Sequence, residues 1–229
     1  MENILKIYFE KQYLEKESAK PPIHSPVVTI SREFGCPSKL IAQMLTGTLN
    51  KRMTKTSVPK WKFVSKEIVE EAARKLDIKT VEMNYLISLG EKGIIEDLLA
   101  SFSPNYVSSR KIKKILTDVL NAIASQGHTI FVGRGSVAIL HGRPGTLHIR
   151  LNAPRKVRLK HICDSRNLSL QDAGKLINEM DKKRLELIEL LLGRKFDPCI
   201  FDMAFNCSTF SKEEIVQSII KVMEVRKMI

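Results

Sequence analysis

Residues 27–49, VVTISREFGCPSKLIAQMLTGTL, constrain this chain more than any other stretch. Val27, Val28, Thr29 and Ile30 are β-branched and predict a strand, since branched side chains fit a pleated surface. Ser31, Arg32, Glu33, Phe34, Gly35, Cys36 and Pro37 then read as a tight, largely polar turn. From Ser38 onward Leu40, Ile41, Met44, Leu45 and Leu49 recur at three- and four-residue steps, the period of a helix. A strand that turns sharply into a helix aims backbone N–H groups and the positive end of a helix dipole at one point, as phosphate-binding loops do. The pattern G-x-x-x-x-G-K-[ST] is not matched: Gly35 is the one glycine of the turn, and Ser38-Lys39-Leu40 stands roughly where Gly-Lys-Ser/Thr would. Strand-turn-helix units are common in α/β proteins, so by itself this stretch fixes a layout and leaves its chemistry open.

Three runs, taken together, say more. VTISREFGCPSKLIAQML resembles the "TISREFG" opening of the cytidylate kinase-like family, a branch of the P-loop nucleoside monophosphate kinases. HTIFVGRGSVAIL, residues 128–140, is similar to that family's strand ending in G-R-G. LHIRLNAPRKVRLKHI, followed by INEMDKKRLELIE, resembles its fourth strand, Ala-Pro turn and lid helix with a D-K-x-R signature. The runs follow the family's order from about residue 27 to residue 208. The resemblance implies a P-loop three-layer α/β fold: a five-stranded parallel sheet, helices on both faces, a helical acceptor-binding insert and a helical lid.

The order of elements agrees with such a fold. Residues 2–18 predict an amphipathic helix, and 18–26, with Pro21, Pro22 and Pro26, a linker, so 1–25 stands apart from a domain over 26–229. That helix is read as packing on the outside of the domain rather than as a docking arm. Residues 61–64 predict a second strand, and Ser65 caps a helix. Further helical patterns run to 103, interrupted near Gly90 and Gly93 and stopped by Pro104, and a strongly amphipathic one covers 108–125. The region 65–125 is thus largely helical and falls where the resemblance puts the acceptor site. Strands at 129–132, 147–151 and 201–207 alternate with helices at 155–166, 170–192 and after Ser211, the last opening with an S-x-x-E capping box through Glu214. Alternation of this kind predicts a parallel, doubly wound sheet. Residues 155–195 form the lid region.

Charge limits the partners. The 229 residues carry a net charge of +13, with 43% hydrophobic and 28% charged residues, which favours polyanionic ligands. Within 51–66, Lys51, Arg52, Lys55, Lys60, Lys62 and Lys66 flank Trp61 with no acidic residue. That pattern leaves open a nucleic-acid-binding module, although a solvated loop with an anchoring tryptophan is the preferred reading. No apolar run approaches the ~18 residues a membrane span needs, and charges interrupt the N-terminus throughout, so a cytoplasmic protein without a membrane partner is expected. Cys36, Cys163, Cys199 and Cys207 show no C-x-x-C or zinc spacing and are expected as reduced thiols. Cys36 near a helix N-terminus favours a thiolate, yet it reads first as a small residue that fits the turn. The histidines show no ligand spacing. None of these features sets an oligomeric state.

The resemblance assigns roles to particular residues. Lys39 would be the loop's phosphate cation, with Arg32, Gly35, Cys36, Ser38 and Arg158 on the donor nucleotide, ATP. Lys39 is displaced by one position from the family's G-K pair. Leu40 stands where a hydroxyl would ligate Mg²⁺, so only Ser38 offers one, and Pro37 removes an N–H from the cradle. Arg134, between Gly133 and Gly135, and Arg110 would take the acceptor phosphate. The aspartate that reads cytidine in G-R-D is Gly135 here, which implies loose base preference. Arg184 and Lys183 would act from the lid as catalytic cations, with Asp181 on the substrate side and orienting Arg184 through an i,i+3 pair. The implied activity is transfer of the ATP γ-phosphate to a nucleoside monophosphate. The alternatives are a nucleotide-binding protein that has lost catalysis and, third, the nucleic-acid module.

Overall fold

In a computed structural model of the chain, residues 25–52, 59–64 and 109–229 are described, without the side chains of 109–112 and 115. The expected N-terminal helix and most of the acceptor-binding insert lie outside them. The elements are β1 (Val27–Arg32), α1 (Ser38–Arg52), β2 (Lys62–Phe63), α2 (Ser109–Ser125), β3 (Thr129–Val132), α3 (Ser136–Ile139), β4 (Thr146–Asn152), α4 (Arg155–Arg166), α5 (Leu170–Leu192), β5 (Met203–Asn206) and α6 (Lys212–Val225).

The five strands form one parallel sheet in the order β2-β3-β1-β4-β5. β1 is central, with Ile30 opposite Val132 of β3 on one side and Ile149 of β4 on the other. Its alternation decides the layers. Val28 and Ile30 pack with Ile41, Leu45 and Leu49 of α1 and with Ile215, Ile219 and Ile220 of α6. Val27 packs on the other face with Phe131, Leu116, Val119 and Leu120 of α2, and Leu191 of α5. Both faces are covered, as an all-parallel sheet requires.

Helix ends follow their sequence signals. Ser169 accepts from the Asp172 N–H to open α5, and Gly193 closes it at φ 70. Ser211 and Glu214 form the full reciprocal capping box on α6. Two elements differ from expectation. The fifth strand is shorter than 201–207, because Asp197 caps a 3₁₀ turn over Pro198–Ile200 and the Asp202 carboxylate takes the His148 N–H at 2.7 Å. Pairing with β4 therefore starts at Met203. The four-residue α3, after Gly135, is too short to leave a periodic signal.

Trp61 is buried in the core, and Asn50 fixes its backbone by donating to its carbonyl at 2.9 Å and accepting from its N–H at 2.7 Å. The aromatic needed for base stacking in the 51–66 stretch is thus inside the protein. None of the described helices is long and apolar enough to cross a membrane.

Candidate active site

The strand order switches at β1, and ligands of open α/β sheets bind beyond such a point at the carboxyl ends of the strands. Three turns meet there: 33–37 after β1, Gly133-Arg134-Gly135 after β3, and Ala153-Pro154 after β4.

The first turn is largely self-satisfied. Glu33 N–H donates to the Leu151 carbonyl at 2.9 Å, Cys36 N–H to Glu33 at 3.2 Å and Ser38 N–H to Cys36 at 2.9 Å. Phe34 N–H donates to Asp181 Oδ1 of α5 at 2.7 Å. The N–H groups of Phe34, Cys36 and Ser38 are therefore committed, and Pro37 has none. Gly35 sits at φ 97, where an added Cβ would stand 3.1 Å from the Arg158 Cβ. Ser38, buried, starts α1, and Lys39 follows it, exposed.

Lid and loop are clamped by Arg158, which is only 8% exposed. Its Nη1 meets Asp181 Oδ2 at 2.7 Å and its Nε lies 3.3 Å from Glu33 Oε2. Nε also donates to the Ala153 carbonyl at 3.0 Å and Nη1 to that of Phe34 at 3.2 Å. The guanidinium that the resemblance assigned to ATP is thus engaged by protein groups. His161 Nδ1 donates to the Gly35 carbonyl at 2.8 Å, and since a carbonyl only accepts, the proton sits on Nδ1. The Phe34 ring packs with Ile162, Ala173 and Ile177 under the lid, and Arg166 and Arg184 lie over it at 5.1 and 5.2 Å.

Several cations gather at the strand ends. The Arg32 guanidinium lies against Gly133, where an added Cβ would overlap its Nη1. Arg184 Nη1 donates to the Arg32 carbonyl at 3.3 Å and lies 4.0 Å from Asp181 Oδ1. Asp181, expected to orient Arg184, keeps that i,i+3 contact at 4.0 Å and makes shorter ones to Arg158 and to the Phe34 N–H. Arg150, opposite Ser31 in the sheet, stands 5.6 Å from the Phe201 ring. Burial, and then the charges of Arg184, Arg134 and Arg150, pull Arg32 down to about 9. Burial, opposed by Asp181 and reinforced by Arg150, brings Arg184 down to about 10. Among the described residues no carboxylate pairs with Arg32 or Arg150, since Glu33 and Asp181 are held by Arg158. These arginines repel one another across a place suited to an anion.

The other assigned residues are spread around this edge. Arg134 follows β3 at φ 57. Lys183 bonds Glu179 at 2.7 Å along α5. Arg110 is in the first turn of α2, and its side chain is outside the described atoms. Sequence reasoning missed Glu33, Arg150, His161 and Arg166. Arg150 left one signal, a charge inside a strand between the apolar Ile149 and Leu151.

Gly135 has a packing reason to be glycine. At φ 68 its added Cβ would stand 2.0 Å from Leu191 Cδ1 at the end of α5. Gly135→Asp is expected to cost about 3 kcal/mol, joining left-handed strain to overpacking. Urea denaturation measures this, and Leu191→Ala should recover part of the loss; an unchanged midpoint for Gly135→Asp would show that α5 does not close on this turn.

The residues fit the two nucleotide-borne groups unequally. The arginine-rich edge suits phosphate. For Mg²⁺ the first turn of α1 offers only the Ser38 hydroxyl, and among the described residues no group of three or more His, Cys, Asp or Glu is placed to hold a metal. The described residues thus form no protein-built Mg²⁺ site.

At the level of family and fold, the chain is similar to known proteins. The model of the cytidylate kinase-like family matches residues 27–209. An uncharacterized protein from Eubacterium ventriosum superposes with TM-score 0.59 at 18% identity, over 88% of this chain and 99% of its own, and this likeness shows the fold. A shikimate kinase from Bacteroides thetaiotaomicron gives TM-score 0.49 at 11% identity, over 87% and 98%. A dephospho-CoA kinase from Campylobacter jejuni gives 0.38 at 16%, over 87% and 96%. None of the curated proteins matches the chain.

Proposed function

The chain belongs to the cytidylate kinase-like family, and from that premise we propose that it is a nucleotide kinase moving the γ-phosphate of ATP to a nucleoside monophosphate or a related acceptor. The observation that supports this most is the gathering of Arg32, Arg134, Arg150 and Arg184 where the parallel strands end. Phosphoryl transfer asks little covalent work of a protein; it asks for positioning and for positive charge around the transferred group.

ATP, when bound, supplies the phosphoryl group and its leaving group. Arg32 and Arg150 offer fixed charge at the strand ends, with Gly35 and Cys36 of the turn after β1, Ser38 and Lys39 of the first turn of α1, and Lys183 of the lid assigned to the donor side. Arg134 and Arg110 are assigned to the acceptor phosphate. Arg184 reaches in from the lid. Arg158 and Asp181 act as positioning residues that set the lid against the loop, since their short contacts are to protein groups. No step is assigned to Mg²⁺.

The test is a phosphotransfer screen of ATP with Mg²⁺ against CMP, UMP, AMP and GMP. Gly135 brings no carboxylate to the acceptor turn, and a site that lacks a buried polar partner discriminates weakly. Transfer is therefore expected with preferences well below the ~10³-fold that a hydrogen-bonded base site reaches. A stronger preference would mean that another residue reads the base. A second reading, a nucleotide-binding regulator without catalysis, is favoured by the committed N–H groups of the loop. Tight ATP binding with no transfer to any acceptor would establish it and overturn the kinase.

A further inference from the structure

We propose that Phe34 is a positioning residue whose ring sets the lid guanidinium of Arg184 at the arginine-lined strand ends, a role that rests on the kinase reading above. An aromatic side chain is out of character in a tight, largely polar turn, where chain reversal calls for Gly, Pro, Asn, Asp or Ser. Its surroundings account for it. Phe34 is only 7% exposed and packs with Ile162, Ala173 and Ile177. Among the described residues, every other member of that cluster lies between 159 and 180 in the lid region, so Phe34 alone enters it from the loop. Its backbone is tied to the same two helices. The N–H donates to Asp181 Oδ1 of α5 at 2.7 Å, and the carbonyl accepts from Arg158 Nη1 of α4 at 3.2 Å. Packing and backbone together fix where the ring sits.

The fixed ring then holds the cation. Arg184 stands over it at 5.2 Å, inside the range of about 6 Å in which an aromatic face attracts a guanidinium. The other holds on Arg184 are longer than ideal: its Nη1 reaches the Arg32 carbonyl at 3.3 Å and Asp181 Oδ1 at 4.0 Å. A carboxylate at bonding distance would fix the guanidinium and cancel its charge. A ring face fixes its plane and leaves the net charge for an anion. Positive charge that is already in place is what stabilises a phosphoryl group as its charge shifts. Arg166, exposed at the end of α4, meets the same ring at 5.1 Å, which sets a second lid cation beside the first.

The experiment uses the full chain with Phe34→Leu, which keeps an apolar side chain but has no aromatic face, and Phe34→Tyr, which keeps the face. Both leave the backbone bonds to Asp181 and Arg158 in place. Without nucleotide, arginine side-chain NMR spectra should show the Arg184 Nε–H displaced by the ring current in the parent and in Phe34→Tyr, with Arg184→Ala identifying the signal. In Phe34→Leu that signal should return to the ordinary arginine region. With ATP and the acceptor that the screen favours, single-turnover transfer should fall about tenfold in Phe34→Leu, the scale of a partly desolvated cation–π contact. Nucleotide affinity should change far less, and Phe34→Tyr should restore transfer. Added to Arg184→Ala, Phe34→Leu should lower transfer by less than about twofold, since residues acting as one unit are not additive. If Phe34→Leu does not fold, Phe34→Met takes its place. An Arg184 signal that the ring substitution leaves unmoved, or an equal loss of transfer with and without Arg184, would overturn the proposal. A parent that binds ATP without transfer overturns the kinase reading instead, and the spectra, which need no nucleotide, then decide by themselves whether Phe34 sets Arg184.

Discussion

Arg184→Ala is expected to lower phosphotransfer by about 10³-fold, the scale set by arginines that meet a transferring phosphoryl group, while nucleotide affinity changes far less. The side chain is well placed for that asymmetry. It stacks on the Phe34 ring and donates to the Arg32 carbonyl, so its position is set by the protein before any ligand arrives. Its nearest carboxylate, Asp181, lies 4.0 Å away and makes shorter bonds to Arg158 and to Phe34. A guanidinium held beside Arg32 and Arg150 with so little compensation interacts most strongly with whatever negative charge shifts in front of it. That is a contribution to the transition state more than to the ground state. Lys39→Ala should differ, since an exposed loop lysine meets phosphate in the bound ground state too, and both affinity and turnover should fall. Separate measurement of binding by calorimetry and of transfer under single-turnover conditions distinguishes the two variants. Unchanged turnover in Arg184→Ala would remove this residue from the site.

Loss of Arg158 should be the costliest single change for stability, about 3–5 kcal/mol, because it breaks a buried pair and leaves carboxylates behind. Arg158→Ala removes the cation from both Glu33 Oε2 and Asp181 Oδ2, and it also strips a donor from the Ala153 and Phe34 carbonyls. Those groups tie three separate pieces together: the turn after β1, the turn after β4 and the lid helix α5. Urea denaturation should show a lower midpoint, and hydrogen exchange should show the 155–195 segment opening ahead of the sheet. Replacing Arg158 and Asp181 together with Met and Leu should recover part of the loss, since of the two carboxylates only Glu33 then remains, and it still accepts from the Ala153 N–H. A cost under ~1 kcal/mol for Arg158→Ala would place the pair with ordinary surface ion pairs instead.

Legibility in the sequence followed the range of each interaction. The bounds of α4 and α5 matched expectation because their signals are local: Ala153-Pro154 before one, the Ser169 cap and Gly193 around the other. The strand-turn-helix at 27–49 was legible for the same reason. β5 was overextended because Phe201 continues the apolar run, while the contact that stops the pairing, Asp202 on the His148 N–H, joins distant parts of the chain. Spacing along one helix suggested Asp181 with Arg184; it could not show that Arg158, on the preceding helix, would take the carboxylate. Gly135 was legible as a missing aspartate, and its packing against Leu191 was not, because nothing in the residues near 135 points to the far end of α5.

The most direct test of the account is a crystal structure of the protein with ADP bound. The account predicts the β-phosphate at the carboxyl end of β1, near Gly35 and Lys39, with oxygens within hydrogen-bond distance of at least two of Arg32, Arg134, Arg150 and Arg184. ADP found away from that edge, for instance on the basic 51–66 stretch, with the four arginines arranged as they are now, would contradict it.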